Sequence, residues 1–262
     1  MSKYFEKYLD IAPLSHALWR SIEANELARV KRKIKYQKPV LDLGCGFGEF
    51  SGVFFQSHIE VGIDTSPTDL LKAAKKNKYK NLYNEDARNL SFKPKSFFTV
   101  VSISVLEHIS GAEAAISEAH RVLKKNGYFI ITVPTDELYT HLFYPKLLER
   151  FGAKWMARRY FRLLNKAFRH VNLWPKKKWE SIIKKAGFEI VESKKFVSKT
   201  ATNAFDIFLI TALPSQLGRW ITGERLIWKI GWKKRLLNKL FGKLAKEKTQ
   251  SGSNIIIVAK KS

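Results

Sequence analysis

Through the middle of the chain, short apolar blocks alternate with stretches of helical periodicity. Pro39 to Leu43, Glu60 to Ile63, Lys80 to Tyr83, Phe97 to Ile103 and Tyr128 to Val133 have the β-branched and aromatic density of strands. Alternation of this kind predicts a parallel sheet with crossover helices, an α/β class. Phe188 to Phe196 adds another strand, and Asn254 to Lys260 a last one. No repeat or low-complexity tract interrupts the pattern.

Outside this block the pattern turns helical and basic. In residues 142 to 169, Leu147, Leu148, Phe151, Trp155, Phe161, Leu164 and Phe168 accompany Lys146, Arg150, Lys154, Arg158, Arg162 and Lys166, each base four residues after the last. That spacing predicts an amphipathic, cationic helix or helix pair, packed on the domain with solvated bases or turned toward a partner. Before the last strand, Phe205 to Leu213 is apolar. Trp220, Trp228 and Trp232 then fall at helical spacing with Leu226, Ile230, Leu237, Phe241 and Leu244, with Lys229, Lys233, Lys234, Arg235, Lys239 and Lys243 on the other face. Six segments follow: a helical cap at 1–38, a core at 39–135, a basic lid and acceptor segment at 136–175, a continuation of the core at 176–196, a basic amphipathic insertion at 197–250 and the last strand at 251–262.

The chain has 262 residues, 45% of them hydrophobic, enough for a sizeable core. Its net charge of +25 is unevenly placed. Residues 39–135 hold 11 Lys/Arg against 10 Asp/Glu, whereas 1–38, 137–170 and 197–250 carry net charges of +5, +6 and +8. A nearly neutral core with basic additions implies a large anionic partner, nucleic acid or an anionic membrane face. A single cysteine excludes a disulfide framework and a cysteine-based zinc cluster, and the six histidines show no metal-ligand spacing, so no metal is expected. Met1 to Asp10 lacks the apolar stretch of a signal peptide and no apolar run approaches the length of a spanning helix. A reducing, cytoplasmic location is expected, with the protein soluble or peripheral at the inner face of the membrane.

The chemistry-bearing motif follows the first strand: Asp42-Leu43-Gly44-Cys45-Gly46-Phe47-Gly48, with glycines at alternate positions where strand turns into helix. Glycine there tolerates unusual dihedrals and lets backbone approach a ligand. Asp64, 22 residues after Asp42 and at the end of the second strand, stands where a carboxylate accepts bonds from both ribose hydroxyls. It could instead cap the turn before Ser66-Pro67. Asp86, after the third strand, is placed for the amino group of an adenine.

These residues, with Phe97 to Ile109, Arg121 to Gly127, His170 and Ala186 to Val191, resemble the class I S-adenosylmethionine-dependent methyltransferases, in a branch acting on small molecules and lipids. The resemblance covers roughly residues 12–196 and the last strand. It implies a Rossmann-like, doubly wound sheet of seven strands, mostly parallel with the last antiparallel, and S-adenosylmethionine as cofactor. Gly44, Cys45, Gly46 and Gly48 would face its methionine part, Asp42 would orient the loop or meet the amino group, and Asp64 with Thr65 would hold the ribose. Asp86 with Ala87 would take the adenine, and Ser102 completes the expected set. Asn126 stands where the family usually has glycine, and asparagine tolerates the left-handed conformation.

Methyl transfer from a sulfonium is a direct displacement helped by alignment and desolvation, so the fold demands no particular catalytic side chain. A hydroxyl acceptor needs a base. Glu107 and His108, just past the fourth strand, are the expected catalytic pair; His108 could equally pack at a helix start. Ubiquinone-pathway O-methyltransferases have a similar pair with a further glutamate where this chain has Ser104. Asp136, Tyr139, His141 and His170 are lesser base candidates. Ser102-Ile103-Ser104-Val105 replaces the Asn/Asp-Pro-Pro-aromatic motif of exocyclic-amine methylation, and no cysteine is placed for pyrimidine C5 attack.

Together these features predict methylation at oxygen or carbon of a small, lipid-linked or membrane-presented acceptor by an enzyme with an anionic membrane surface as partner. An RNA methyltransferase, or a catalytically inactive adaptor on the same fold, is the alternative.

Overall fold

The structure is a computed structural model that describes residues 2–34, 36–212 and 231–262. The seven strands are β1 (Val40–Leu43), β2 (Ile59–Asp64), β3 (Tyr79–Asn84), β4 (Phe97–Ile103), β5 (Leu123–Pro134), β6 (Phe188–Phe196) and β7 (Asn254–Lys261). They form one sheet in the order β3-β2-β1-β4-β5-β7-β6. Strands β1 to β5 pair in parallel, while β7 runs antiparallel to β5 with Tyr128 opposite Lys260 and Pro134 opposite Asn254. The seven-stranded Rossmann-like sheet expected from the sequence is therefore present. Strand β5 starts five residues earlier than its apolar pattern suggested, because Leu123 reaches across a register shift to pair with Phe97. The hinge of that entry is Asn126 at φ +63°, left-handed where the resemblance led one to expect a glycine-like residue.

The chain divides into two compact units. The first comprises residues 31–136, 168–195 and 254–262. Its crossover helices are α3 (Glu49–Phe54), α4 (Pro67–Lys75), α5 (Ala112–Val122) and α9 (Lys176–Lys185). Helix α4 shows why such segments start where they do. The Ser66 hydroxyl accepts from Asp69 N, Pro67 sits at the first helical position, and Lys72 and Lys75 lie in the last turn, against the dipole's negative end. Leu41, Ile63, Val100, Ile116, Phe129, Trp179 and Ile257 meet in one buried cluster. Each such side chain contributes on the order of 1.5–3 kcal/mol by burial. The carboxyl ends of β1, β2 and β4 lie along one edge of this layer, the edge beyond which open α/β sheets usually bind their ligands.

The second unit gathers residues 1–30, 137–167 and 196–253, which take in only part of the expected cap (1–38) and lid (136–175) together with the insertion. In chain order it holds α1 (Lys3–Tyr8), most of α2 (Leu14–Lys33), α6 (Glu137–His141), α7 (Phe143–Arg150), α8 (Lys154–Phe168), α10 (Lys199–Ile207) and α11 (Gly231–Phe241). Polar side chains bind these segments across large sequence separations. Ser2 N donates to Asn238 Oδ1 at 2.9 Å, and Asn25 Nδ2 donates to the Ala245 carbonyl at 2.8 Å. Buried Asp206 accepts from the Phe143 and Tyr144 amides, both at 2.9 Å, and from the Tyr160 hydroxyl, tying α7 and α8 to α10. Burial pushes its carboxyl pKa up, opposed by those hydrogen bonds. Of the expected amphipathic insertion, Leu213, Trp220, Leu226, Trp228, Lys229 and Ile230 lie outside the described residues. No helix among the described residues is long and apolar enough to cross a membrane.

Candidate active site

The turn after β1 is shaped by three left-handed glycines. Gly44, Gly46 and Gly48 have φ of +79°, +52° and +71°. The Gly44 and Cys45 amides donate to the Ile63 carbonyl at 3.0 and 2.8 Å, lashing the loop to the end of β2. A Cβ on Gly44 would lie 2.3 Å from Val105 Cγ1, so the position admits only glycine, whereas a Cβ on Gly46 would meet nothing within 4 Å. The loop is packed on one side and open on the other, as a ligand cradle needs.

Asp42 is buried beneath this loop. Its Oδ2 accepts from the Ser51 hydroxyl at 2.5 Å and the Tyr79 hydroxyl at 2.7 Å. Burial raises its pKa, the two hydroxyl bonds opposing the rise. These partners make Asp42 a brace between β1, α3 and β3. Tyr79 and Ser51 escaped the sequence reading. The signal for Tyr79 was Gly62 inside β2, since a Cβ there would lie 2.7 Å from the tyrosine ring and glycine within a strand marks close approach.

Asp64, the last residue of β2, accepts from Gly46 N through Oδ2 at 2.8 Å and from Ser66 N through Oδ1 at 2.9 Å. It caps its turn and also steadies the glycine loop, and each oxygen keeps a second lone pair for a ligand hydroxyl. Thr65 beside it is exposed. Asp86 lies two residues past β3 and is gripped by Arg88, whose Nη2 donates at 2.6 Å; the Arg88 side chain holds its carboxyl below the usual range. Ala87 is buried. Ser102, in β4, is fully buried with a hydroxyl that has no hydrogen-bond partner among the described residues. Cys45 is half-buried, and burial and the nearby carboxylates of Asp42 and Asp64 push its thiol far above the ordinary range, so it packs as a neutral group in the loop.

Beyond β4, Leu106–His108 form a short 3-10 turn. Glu107 is buried, and its carbonyl accepts from the Val171 and Asn172 amides at 2.8 and 3.0 Å. Asn172 Nδ2 returns to the Leu106 and Ile109 carbonyls at 2.9 and 2.7 Å. This clasp brings His170 beside His108, ring centroids 5.3 Å apart. His108 Nδ1 lies 3.1 Å from the Arg169 carbonyl. A carbonyl only accepts, so Nδ1 carries the proton and Nε2 is the basic nitrogen, 3.8 Å from the Glu107 carboxylate. A proton arriving at Nε2 makes an imidazolium that this buried carboxylate stabilises.

The histidine spacing predicted no ligand set, yet the fold assembles Glu107, His108 and His170 with one ligand atom each within 4.8 Å of one another. Glu107 and His170, the extremes of this set, are 63 positions apart in sequence, which is why no linear pattern revealed them. Asp136 is exposed, and Tyr139 and His141 belong to the helical unit, where Tyr139 donates to Glu149 at 2.5 Å.

Burial, with His108 adding to it, pushes the His170 pKa down from 6.5 to about 4. The unfolded chain then takes up a proton near pH 6.5 that the folded protein refuses until about pH 4, so stability falls with acidification across that window. His170→Gln is expected to flatten this dependence by roughly 2 kcal/mol between those limits. Urea unfolding of both proteins from pH 7 to pH 4 measures it, and parallel stability curves would contradict the half-buried, neutral imidazole.

A methyltransferase-domain profile matches residues 18–193. The ubiquinone biosynthesis O-methyltransferase of Pelagibacter ubique is 32% identical over 108 residues, 40% of this chain and 45% of its own length. The "Probable tRNA methyltransferase 9B" of Mus musculus is 33% identical over 118 residues, 43% of this chain and 26% of its own. The chain thus matches less than half the length of these curated relatives. Among solved structures, an S-adenosylmethionine-dependent methyltransferase from Thermotoga maritima superposes with a TM-score of 0.56 at 18% identity, over 94% of this chain and 89% of its own.

The residues present fit that cofactor. The cradle is open above Gly46, Asp64 offers lone pairs where the resemblance would place the ribose, and the Ser102 hydroxyl has no hydrogen-bond partner among the described residues. When bound, S-adenosylmethionine supplies an electrophilic methyl group and leaves as a neutral thioether. Sheet order, glycine cradle and profile match agree that the chain belongs to the methyltransferase-domain family and has the class I, S-adenosylmethionine-dependent fold.

Proposed function

We propose that the protein methylates an oxygen or carbon of a small, lipid-linked or membrane-presented acceptor, using S-adenosylmethionine, at the inner face of the membrane. The observation that carries the reaction is His108, its Nδ1–H tied to the Arg169 carbonyl and its Nε2 faced by buried Glu107 at 3.8 Å. In this reading Nε2 takes the proton from an acceptor hydroxyl and Glu107 holds the resulting charge. Asp42, through Ser51 and Tyr79, keeps the donor loop in place, and Asp64 and Asp86 orient the nucleoside. The O-methyltransferase name of the Pelagibacter relative supports transfer to oxygen. The basic charge outside the sheet supports an anionic surface beside the acceptor.

Incubation of the purified protein with methyl-labelled S-adenosylmethionine and a total lipid extract in vesicles tests this. Label should enter the organic phase, and His108→Ala should slow its entry by about 100-fold or more. Label found only in soluble metabolites would overturn the membrane-presented acceptor, and an unchanged rate in the variant would remove His108 as base. A second reading, RNA methylation, is favoured by the name of the mouse relative and the same positive charge; label in a total RNA fraction would establish it instead.

A further inference from the structure

Helix α8 has a complete inward stripe. Ala157 and Leu164 are buried, Tyr160 bonds Asp206, and Phe161 packs on Tyr139 with ring centroids 4.9 Å apart. These four positions, i, i+3, i+4 and i+7, fill one helix face. At 100° per residue the opposite face carries Trp155, Arg159, Arg162, Leu163 and Lys166. Trp155 is 65% exposed and Leu163 58%. The turn between α7 and α8 adds Phe151 at 78%, with Leu147 and Met156 also exposed. The sequence pattern had grouped Phe151 and Trp155 with Phe161 and Leu164 as one apolar set; the structure separates them, because the inward stripe is already full.

Around these apolar side chains stand Arg150, Lys154, Arg158, Arg159, Arg162 and Lys166, all exposed and none in a salt bridge among the described residues. The one acidic residue of the helix pair, Glu149, is engaged by Tyr139.

We infer that the outer face of α7 and α8 is a docking surface for an anionic lipid bilayer, with Phe151 and Trp155 entering the headgroup and acyl boundary and the six bases meeting lipid phosphates. Charge complementarity selects the anionic occupant. The aliphatic Leu147, Met156 and Leu163 select a bilayer over RNA, since they gain from hydrocarbon and offer nothing to base stacking or phosphate. A bilayer also uses both halves of the pattern at once: aromatic and aliphatic groups at the boundary, cations at the anionic surface. This inference deepens the proposed function, to which it adds the face that meets the membrane, and it rests on that reading for its purpose but not for its test.

The full-length protein is floated with vesicles of phosphatidylcholine alone and of equal phosphatidylcholine and phosphatidylglycerol. Wild type should float with the second and little with the first. Phe151→Ser combined with Trp155→Ser should lower the partition coefficient at least tenfold, as should Arg150, Lys154, Arg158 and Arg162 all changed to Gln, with thermal unfolding unchanged because every one of these side chains is exposed. Undiminished flotation of either variant would overturn the inference, and so would absence of wild-type flotation. A double variant that lost retention on single-stranded RNA, with flotation intact, would overturn it in favour of a nucleic-acid face. Failed flotation with label still entering the lipid extract would sink the docking surface alone; flotation without label would sink the acceptor reading alone.

Discussion

Asp64→Ala should weaken S-adenosylmethionine binding by at least 100-fold, about 3 kcal/mol, in a chain that still folds. The carboxylate faces two ribose hydroxyls in this reading, and hydrogen bonds to a charged group are worth about 1.5–3 kcal/mol each. Asp64 also receives the Gly46 and Ser66 amides at 2.8 and 2.9 Å, so its removal slackens the glycine loop as well. The fold survives because the side chain is only partly buried while its strand neighbours Val61 and Ile63 stay in the core. Asp64→Asn keeps one acceptor oxygen and should fall between, roughly tenfold weaker than wild type. Titration calorimetry with the donor reads both values. Wild-type affinity in the alanine variant would displace the ribose site from the end of β2.

Asp206→Ala should cost the helical unit about 3–4 kcal/mol of stability. The change leaves the Phe143 and Tyr144 amides and the Tyr160 hydroxyl without their common acceptor in a buried place, and each orphaned donor carries a desolvation penalty. Relief of the burial that raises the Asp206 pKa offsets part of this, so the loss stays below the sum of three lost bonds. Asp206→Asn retains one carbonyl oxygen and should lose about half as much. Thermal unfolding gives the total, and hydrogen exchange at the amides of residues 143 and 144 localises it. Unchanged exchange there would show that Asp206 does not hold the start of α7.

The sheet was legible in the sequence because its signals are local. Alternating blocks such as Phe97 to Ile103 match their strand end to end, and Gly44, Gly46 and Gly48 stand in the turn they announced, all left-handed. Asp64 ends β2 as expected. The apolar pattern of β5 is shorter than the strand because Lys124, Lys125 and Asn126 are polar, and its early start depends on pairing with β4. Tyr79 as the partner of Asp42 was legible only obliquely, through Gly62. Arg88 at Asp86 had a local cue, two residues away, that the adenine role obscured.

By itself the sequence determined the α/β class, a parallel block of strands, the glycine-rich turn between Asp42 and Asp64, and the separation of a near-neutral core from basic additions. These follow from periodicity, glycine conformation and charge, properties of neighbouring residues. Only the tertiary structure decided which residues meet. It brought His170 onto His108 through the Asn172 clasp and Ser2 to Asn238. It also turned Trp155 and Phe151 outward while Phe161 and Leu164 filled the inner face of α8. Helical spacing lists the residues that can share a face. Which face is buried depends on the partners that pack against it, and those partners come from distant parts of the chain.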